Sequence, residues 1–187
     1  MSLILATSSA HKAEEIAHVL ERPLTRHALD LPEVQAIDVQ QVIEAKVKAA
    51  YATVQQPVLV EDTGLLIHSW QGLPGALIRW FLETVGNDGI CTMLAQFADR
   101  SATAITCIGY FDGTHYQTFL GETTGQIAAQ PRGTSGFGWD PIFVPDGYHK
   151  TFAELKETEI VAVSMRRKAT LALKQFLDMQ EELRHTL

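Results

Sequence analysis

The chain has 187 residues, of which 46% are hydrophobic and 20% charged, with a formal net charge of −7. A chain of that length buries roughly 70% of its unfolded surface, so it needs no disulfide or metal staple. The acidic balance argues against a nucleic-acid surface, which is normally basic, and no apolar run approaches the roughly 20 residues of a membrane span.

Leu3 to Thr7 reads as a short buried strand. Ala10 to Leu20 reads as a helix, because Ile16, Val19 and Leu20 recur at helical spacing. Between them, Thr7, Ser8 and Ser9 lie where free backbone N–H groups open a helix. That position suits an anion, and Ser9 equally suits a plain N-cap. Leu24 to Leu29 follows as a second strand. Val39 to Val54 then reads as a helix, with Val42, Ile43, Val47 and Ala50 near one face. Pro57 opens the apolar strand Val58 to Val60, and a turn at Thr63 and Gly64 leads into Leu65 to Trp70. Gly72, Pro74 and Gly75 break the chain before two helices, Ala76 to Val85 and about Asp88 to Phe97.

Ala102 to Phe111 is rich in β-formers, and Asp112-Gly113 signals a hairpin. Tyr116 to Leu120 and Thr123 to Ala128 complete an antiparallel set. Residues 131–150, rich in Gly, Pro and aromatics, read as a functional loop. Ala169 to Leu183 closes the chain as a helix. The mix predicts an α/β fold of one domain, residues 1–187, with a long mixed sheet flanked by helices in two lobes. Cys91 and Cys107 show no metal or framework spacing and read as buried free thiols of a cytoplasmic protein. Leu3 to Ala6 is too short for a signal peptide.

Three groups of residues carry chemistry. Glu61 and Asp62 place adjacent carboxylates at the end of an apolar strand, where a hard cation relieves their repulsion. A solvated acidic turn is the other reading. Gly136-Phe137-Gly138-Trp139-Asp140-Pro141 sets two rings between glycines, either to stack on a base or to plug the core. Lys12, Lys46, Arg166 and Arg167 are scattered cations that serve phosphates or simply the surface. The seven histidines show no ligand spacing.

Read in order, these segments resemble the inosine triphosphate pyrophosphatase family, which acts on non-standard purine nucleotides. The resemblance spans nearly the whole chain. It rests on Thr7 with Lys12, Leu31-Pro32-Glu33, Val60-Glu61-Asp62-Thr63-Gly64-Leu65, Gly72-Leu73-Pro74-Gly75, Phe137-Gly138-Trp139-Asp140-Pro141, Thr151-Phe152-Ala153-Glu154, and Ser164 with Arg166. It implies a two-lobed homodimer with the nucleotide in the cleft between lobes, and Mg²⁺-dependent cleavage between the α and β phosphates.

Carried over by position, Asp62 is catalytic and a metal ligand, with Glu33 beside the metal. Lys12, Lys46 and Thr63 face the triphosphate, as does the loop Thr7, Ser8 and Ser9. Phe137, Gly138, Trp139, Asp140, Met165 and Arg166 frame the base. The chain departs from the family pattern at four positions. Ser8 and Ser9 replace Gly and Asn in the phosphate loop, Met165 replaces His, and Ile160 replaces Lys. These changes raise two competing readings, a pyrophosphatase of shifted base preference and a nucleotide-binding protein with little turnover.

Overall fold

The structure, a computed structural model, describes residues 3–185. In chain order the main elements are β1 (Leu3–Ala6), α1 (Ala10–Leu20), β2 (Leu24–His27), α2 (Val39–Val54), β3 (Val58–Ile67), β4 (Pro74–Gly75), α3 (Ile78–Thr84) and α4 (Gly86–Met93). The long strands β5 (Ser101–Phe111) and β6 (Tyr116–Ile127) follow, then β7 (Phe143–Pro145), α5 (Glu157–Val163) and α6 (Met165–His185). The strands form one 7-stranded sheet in the order β2-β1-β3-β5-β6-β7, with β4 on β3. β1 pairs in parallel with β2 and β3, and the remaining pairs are antiparallel. The α/β mixed-sheet expectation holds. No helix among the described residues is long and apolar enough to cross a membrane.

Strand alternation sets the layers, because successive side chains point to opposite faces. Ile4, Ala6, Val58 and Val60 point to one face and pack under Val39, Ile43, Val47 and Ala50 of α2. Leu5 and Leu59 point to the other, against Ile16 and Leu20 of α1 and Ala169 and Leu173 of α6. Leu5, Leu59, Ile16, Leu20 and Ile43 are fully buried, and each such side chain contributes about 1.5–3 kcal/mol. A third cluster gathers Leu65, Ile67, Ile90, Leu94, Ala102, Ile127 and Phe143 at the far end of the long strands. The strands β3, β5 and β6 thus run from one lobe into a second, and the cleft lies between them.

Two expected breaks are absent. β3 runs unbroken through Thr63 and Gly64. Gly64 is small because the backbone of Gly75 on β4 lies against it, and a Cβ there would sit 3.1 Å from the Gly75 carbonyl carbon. β6 likewise continues through Gly121, where a Cβ would lie 1.9 Å from the Met165 carbonyl oxygen. Both glycines mark close packing between elements, where a sequence reading sees turns. The Gly121 contact also seats the first turn of α6 directly on the sheet, and that helix begins at Met165, ahead of the expected Ala169. α5, whose residues are nowhere fully buried, carried no apolar stripe to announce it.

Candidate active site

The unbroken course of β3 decides where its two carboxylates go. Asp62 shares a face with Val58 and Val60 and so meets α2, where Lys46 Nζ lies 3.6 Å from Asp62 Oδ2. Glu61 shares a face with Leu59 and meets α1 and α6, with Lys12 Nζ at 2.6 Å from Oε2 and Arg166 Nε at 3.0 Å from Oε1. The expectation that one hard cation relieves two adjacent carboxylates at a strand end is therefore corrected, as is the solvated acidic turn. The strand sends them to opposite sides, each toward its own cation.

On the Asp62 side, Lys46 also donates to Glu33 Oε1 at 2.7 Å, so one ammonium bridges both carboxylates assigned to a metal. That hydrogen bond holds the Glu33 carboxyl below its ordinary range. Burial pushes Asp62 up despite the opposing charge of Lys46. The Thr63 N–H donates to Asp62 Oδ1 at 2.8 Å and fixes its orientation. Among the described residues, no group of three or more His, Cys, Asp or Glu is placed to hold a metal. Glu33 and Asp62 are the donor set that fits a hard cation, since both already surround one positive charge.

On the Glu61 side the charges are deeper. Burial alone would raise the Glu61 carboxyl, but Lys12 and Arg166 outweigh it and hold the group at about 2. Thr63 Oγ1 donates to Glu61 Oε1 at 3.0 Å. Arg166 uses a second edge on Glu15 Oε2 at 2.6 Å, and Ser164 Oγ donates to Glu15 Oε1 at 3.3 Å.

A cleft of about 1480 Å³ opens above these groups. It is lined by the polar Lys12, Glu33, Asp62 and Thr63 and, with them, by Phe137, Gly138, Trp139, Asp140, Met165 and Arg166. Phe137 is 59% exposed, held between Gly136 at φ 76° and Gly138 at φ 63°, where only glycine turns without strain. Asp140 Oδ2 accepts the Phe137 N–H at 2.9 Å and closes that turn, and burial pushes the Asp140 carboxyl up. Trp139 differs from its neighbour. Its ring is buried against Phe143 and Phe152 at centroid distances of 5.6 and 6.0 Å, so it plugs the core while still lining the cleft.

Thr7, Ser8 and Ser9 do not line the cleft. Ser9 caps α1, its hydroxyl accepting from Lys12 N at 3.3 Å, and the Ser9 N–H donates to Thr7 Oγ1 at 3.1 Å. The capping reading of Ser9 is thus realised.

Residues 3–176 match the model of the Ham1 family. The chain belongs to the Ham1 family. It is 43% identical over 187 residues to the inosine triphosphate pyrophosphatase of Yarrowia lipolytica, across 97% of this chain and 98% of that one. It is 38% identical over 173 residues to the dITP/XTP pyrophosphatase of Methanopyrus kandleri, across 90% of this chain and 92% of that one. Among solved structures, a HAM1 protein from Coxiella burnetii superposes with a TM-score of 0.86 at 25% identity, covering 96% of this chain and 99% of that one.

Two residues of this site have roles that the sequence did not assign. Glu15 stands three residues after Lys12 on α1, and i,i+3 spacing puts the two on one helix face, a signal that was there to read. Glu61 was read as half of an acidic pair, and its own role, as partner of Lys12 and Arg166, depends on the strand register.

Proposed function

We propose that residues 1–187 form one nucleoside triphosphate pyrophosphatase domain that hydrolyses ITP, dITP and XTP to the monophosphate and pyrophosphate with Mg²⁺. The observation that carries this reading is the bridge of Lys46 between Glu33 and Asp62 in a cleft that Phe137 also lines. The names of the relatives, matched over nearly the whole chain, support the substrate class. They also support a hydrolase.

The chemistry follows from the residues. Lys12 and Lys46 neutralise phosphate oxygens, each contact of this charge-assisted kind being worth about 1.5–3 kcal/mol. Asp62, held by the Thr63 N–H, orients a water and takes its proton as the oxygen adds to the α-phosphorus. The bond from that phosphorus to the α–β bridging oxygen breaks, and pyrophosphate leaves. Glu33 and Asp62 would hold Mg²⁺, which would supply charge neutralisation for the leaving group. Phe137 covers the base. A cytoplasmic homodimer belongs to the same reading, and the net charge of −7 speaks against nucleic acid as a partner.

A shifted base preference is the second reading, and one observation favours it. The base end is flanked by the apolar Ile160 and Met165, while Arg166 already serves two carboxylates. A panel of NTPs and dNTPs with Mg²⁺, scored for pyrophosphate, separates the two. Preference for ITP or XTP over ATP, reduced about tenfold or more by Arg166→Ala, supports the first. Equal rates on ITP and ATP support the second, and analogue binding without pyrophosphate release refutes both.

A further inference from the structure

Glu61 does not line the cleft, and its side chain is 1% exposed. The groups it holds do reach the cleft. Its Oε2 faces Lys12 Nζ at 2.6 Å, and its Oε1 faces Arg166 Nε at 3.0 Å and accepts from Thr63 Oγ1 at 3.0 Å. Lys12 comes from α1 and Arg166 from α6, and both line the cleft. One buried carboxylate therefore holds a cleft-lining cation from each helix.

We propose that Glu61 is a positioning residue that couples base recognition to triphosphate binding by holding Lys12 with one oxygen and Arg166 with the other. The inference rests on the pyrophosphatase reading for the assignment of Lys12 to phosphate and Arg166 to base. Its physical basis is that groups sharing one ion network respond to each other's loss, whereas separated groups act independently. Removing Lys12 leaves Arg166 as the one charged partner of Glu61 among the described residues, which draws the guanidinium toward the carboxylate and away from the base.

Lys46 is the internal control. It faces the same triphosphate, yet its ion pairs are with Glu33 and Asp62, and Asp62 lies on the opposite face of β3 from Glu61. Among the described residues Lys46 and Arg166 have no ion-pair partner in common.

The test measures dissociation constants of the α,β-imido analogues of ITP and ATP, with Mg²⁺, for wild type, Lys12→Met, Lys46→Met and Glu61→Gln. Lys12→Met should weaken both analogues and also shrink the preference for the ITP analogue by about threefold or more. Lys46→Met should weaken both while changing that preference by less than about twofold. Glu61→Gln, with its folded state checked by thermal melting, should shrink the preference as Lys12→Met does. If Glu61→Gln does not fold, the two lysine variants decide. A preference that Lys12→Met leaves unchanged, or that both lysine variants shift equally, overturns the coupling. Wild-type protein that binds the analogues yet releases no pyrophosphate from ITP overturns the pyrophosphatase reading instead, and the binding ratios still judge Glu61.

Discussion

The two halves of the proposed site are built differently. On the proposed phosphate side the functional side chains other than Glu33 stand on regular elements: Lys12 on α1, Lys46 on α2, Asp62 and Thr63 within β3. Their charges are partnered, and their backbone is fixed by helix and sheet hydrogen bonds. At the base end Phe137 sits on a glycine-flanked turn, exposed, and Ile160 and Met165 belong to short or terminal helical turns. Rigid elements hold geometry better than loops, so the phosphate end is suited to chemistry and the base end to adjustable recognition. A chain of this family can thus change its base-facing residues while its carboxylates and lysines stay in register.

The sharpest way to break that contrast is at Asp62. Asp62→Asn should keep the fold, judged by circular dichroism, and lower turnover of ITP by at least about 10²-fold, the range for loss of a general base or metal contact. Near-normal turnover would move the chemistry elsewhere.

The lysines come next. Lys12→Met or Lys46→Met should raise the KM for ITP by about tenfold or more. Inorganic tripolyphosphate, which has no base, should inhibit competitively and lose affinity to a similar degree in both variants. Phe137→Ala should raise the KM for ITP about fivefold or more, because base stacking on an aromatic ring is worth roughly 1–3 kcal/mol. It should leave tripolyphosphate inhibition unchanged. An equal loss of tripolyphosphate binding in Phe137→Ala would erase the division between the two ends.

The smallest effect is expected beneath the phosphate end. Cys107 lies on β5 directly across from Asp62, and burial pushes its thiol up to about 12. Cys91 is buried and also raised by burial. A thiol reagent should leave both unmodified in the folded protein and label both in denaturant. Rapid labelling of Cys107 in the native state would show that the sheet under Asp62 opens.

How much of this was legible in the sequence follows the same division. α1 and α2 announced themselves through apolar spacing, and both observed helices have the predicted bounds. Lys12 and Lys46 sit on those helices, but the residues alone left them as phosphate partners or surface charges, and the family resemblance assigned them to the triphosphate. Gly64 and Gly121 were opaque because a glycine that admits a neighbouring backbone looks in sequence like one that makes a turn. Once β3 was taken as broken, the opposite facing of Glu61 and Asp62 was hidden, and with it the shared hold on Lys12 and Arg166. Phe137 and Trp139 lie two residues apart, yet one is exposed and the other buried, a distinction set by packing against Phe143 and Phe152 rather than by local pattern.

The central claim is pyrophosphohydrolysis at the phosphate end of this cleft. The most direct measurement identifies the products formed from ITP by the wild-type protein, with Mg²⁺ and with chelator in its place. The account predicts IMP and pyrophosphate in equal amounts with Mg²⁺ and neither with chelator. IDP and orthophosphate, or IMP formation undiminished by chelator, would contradict it.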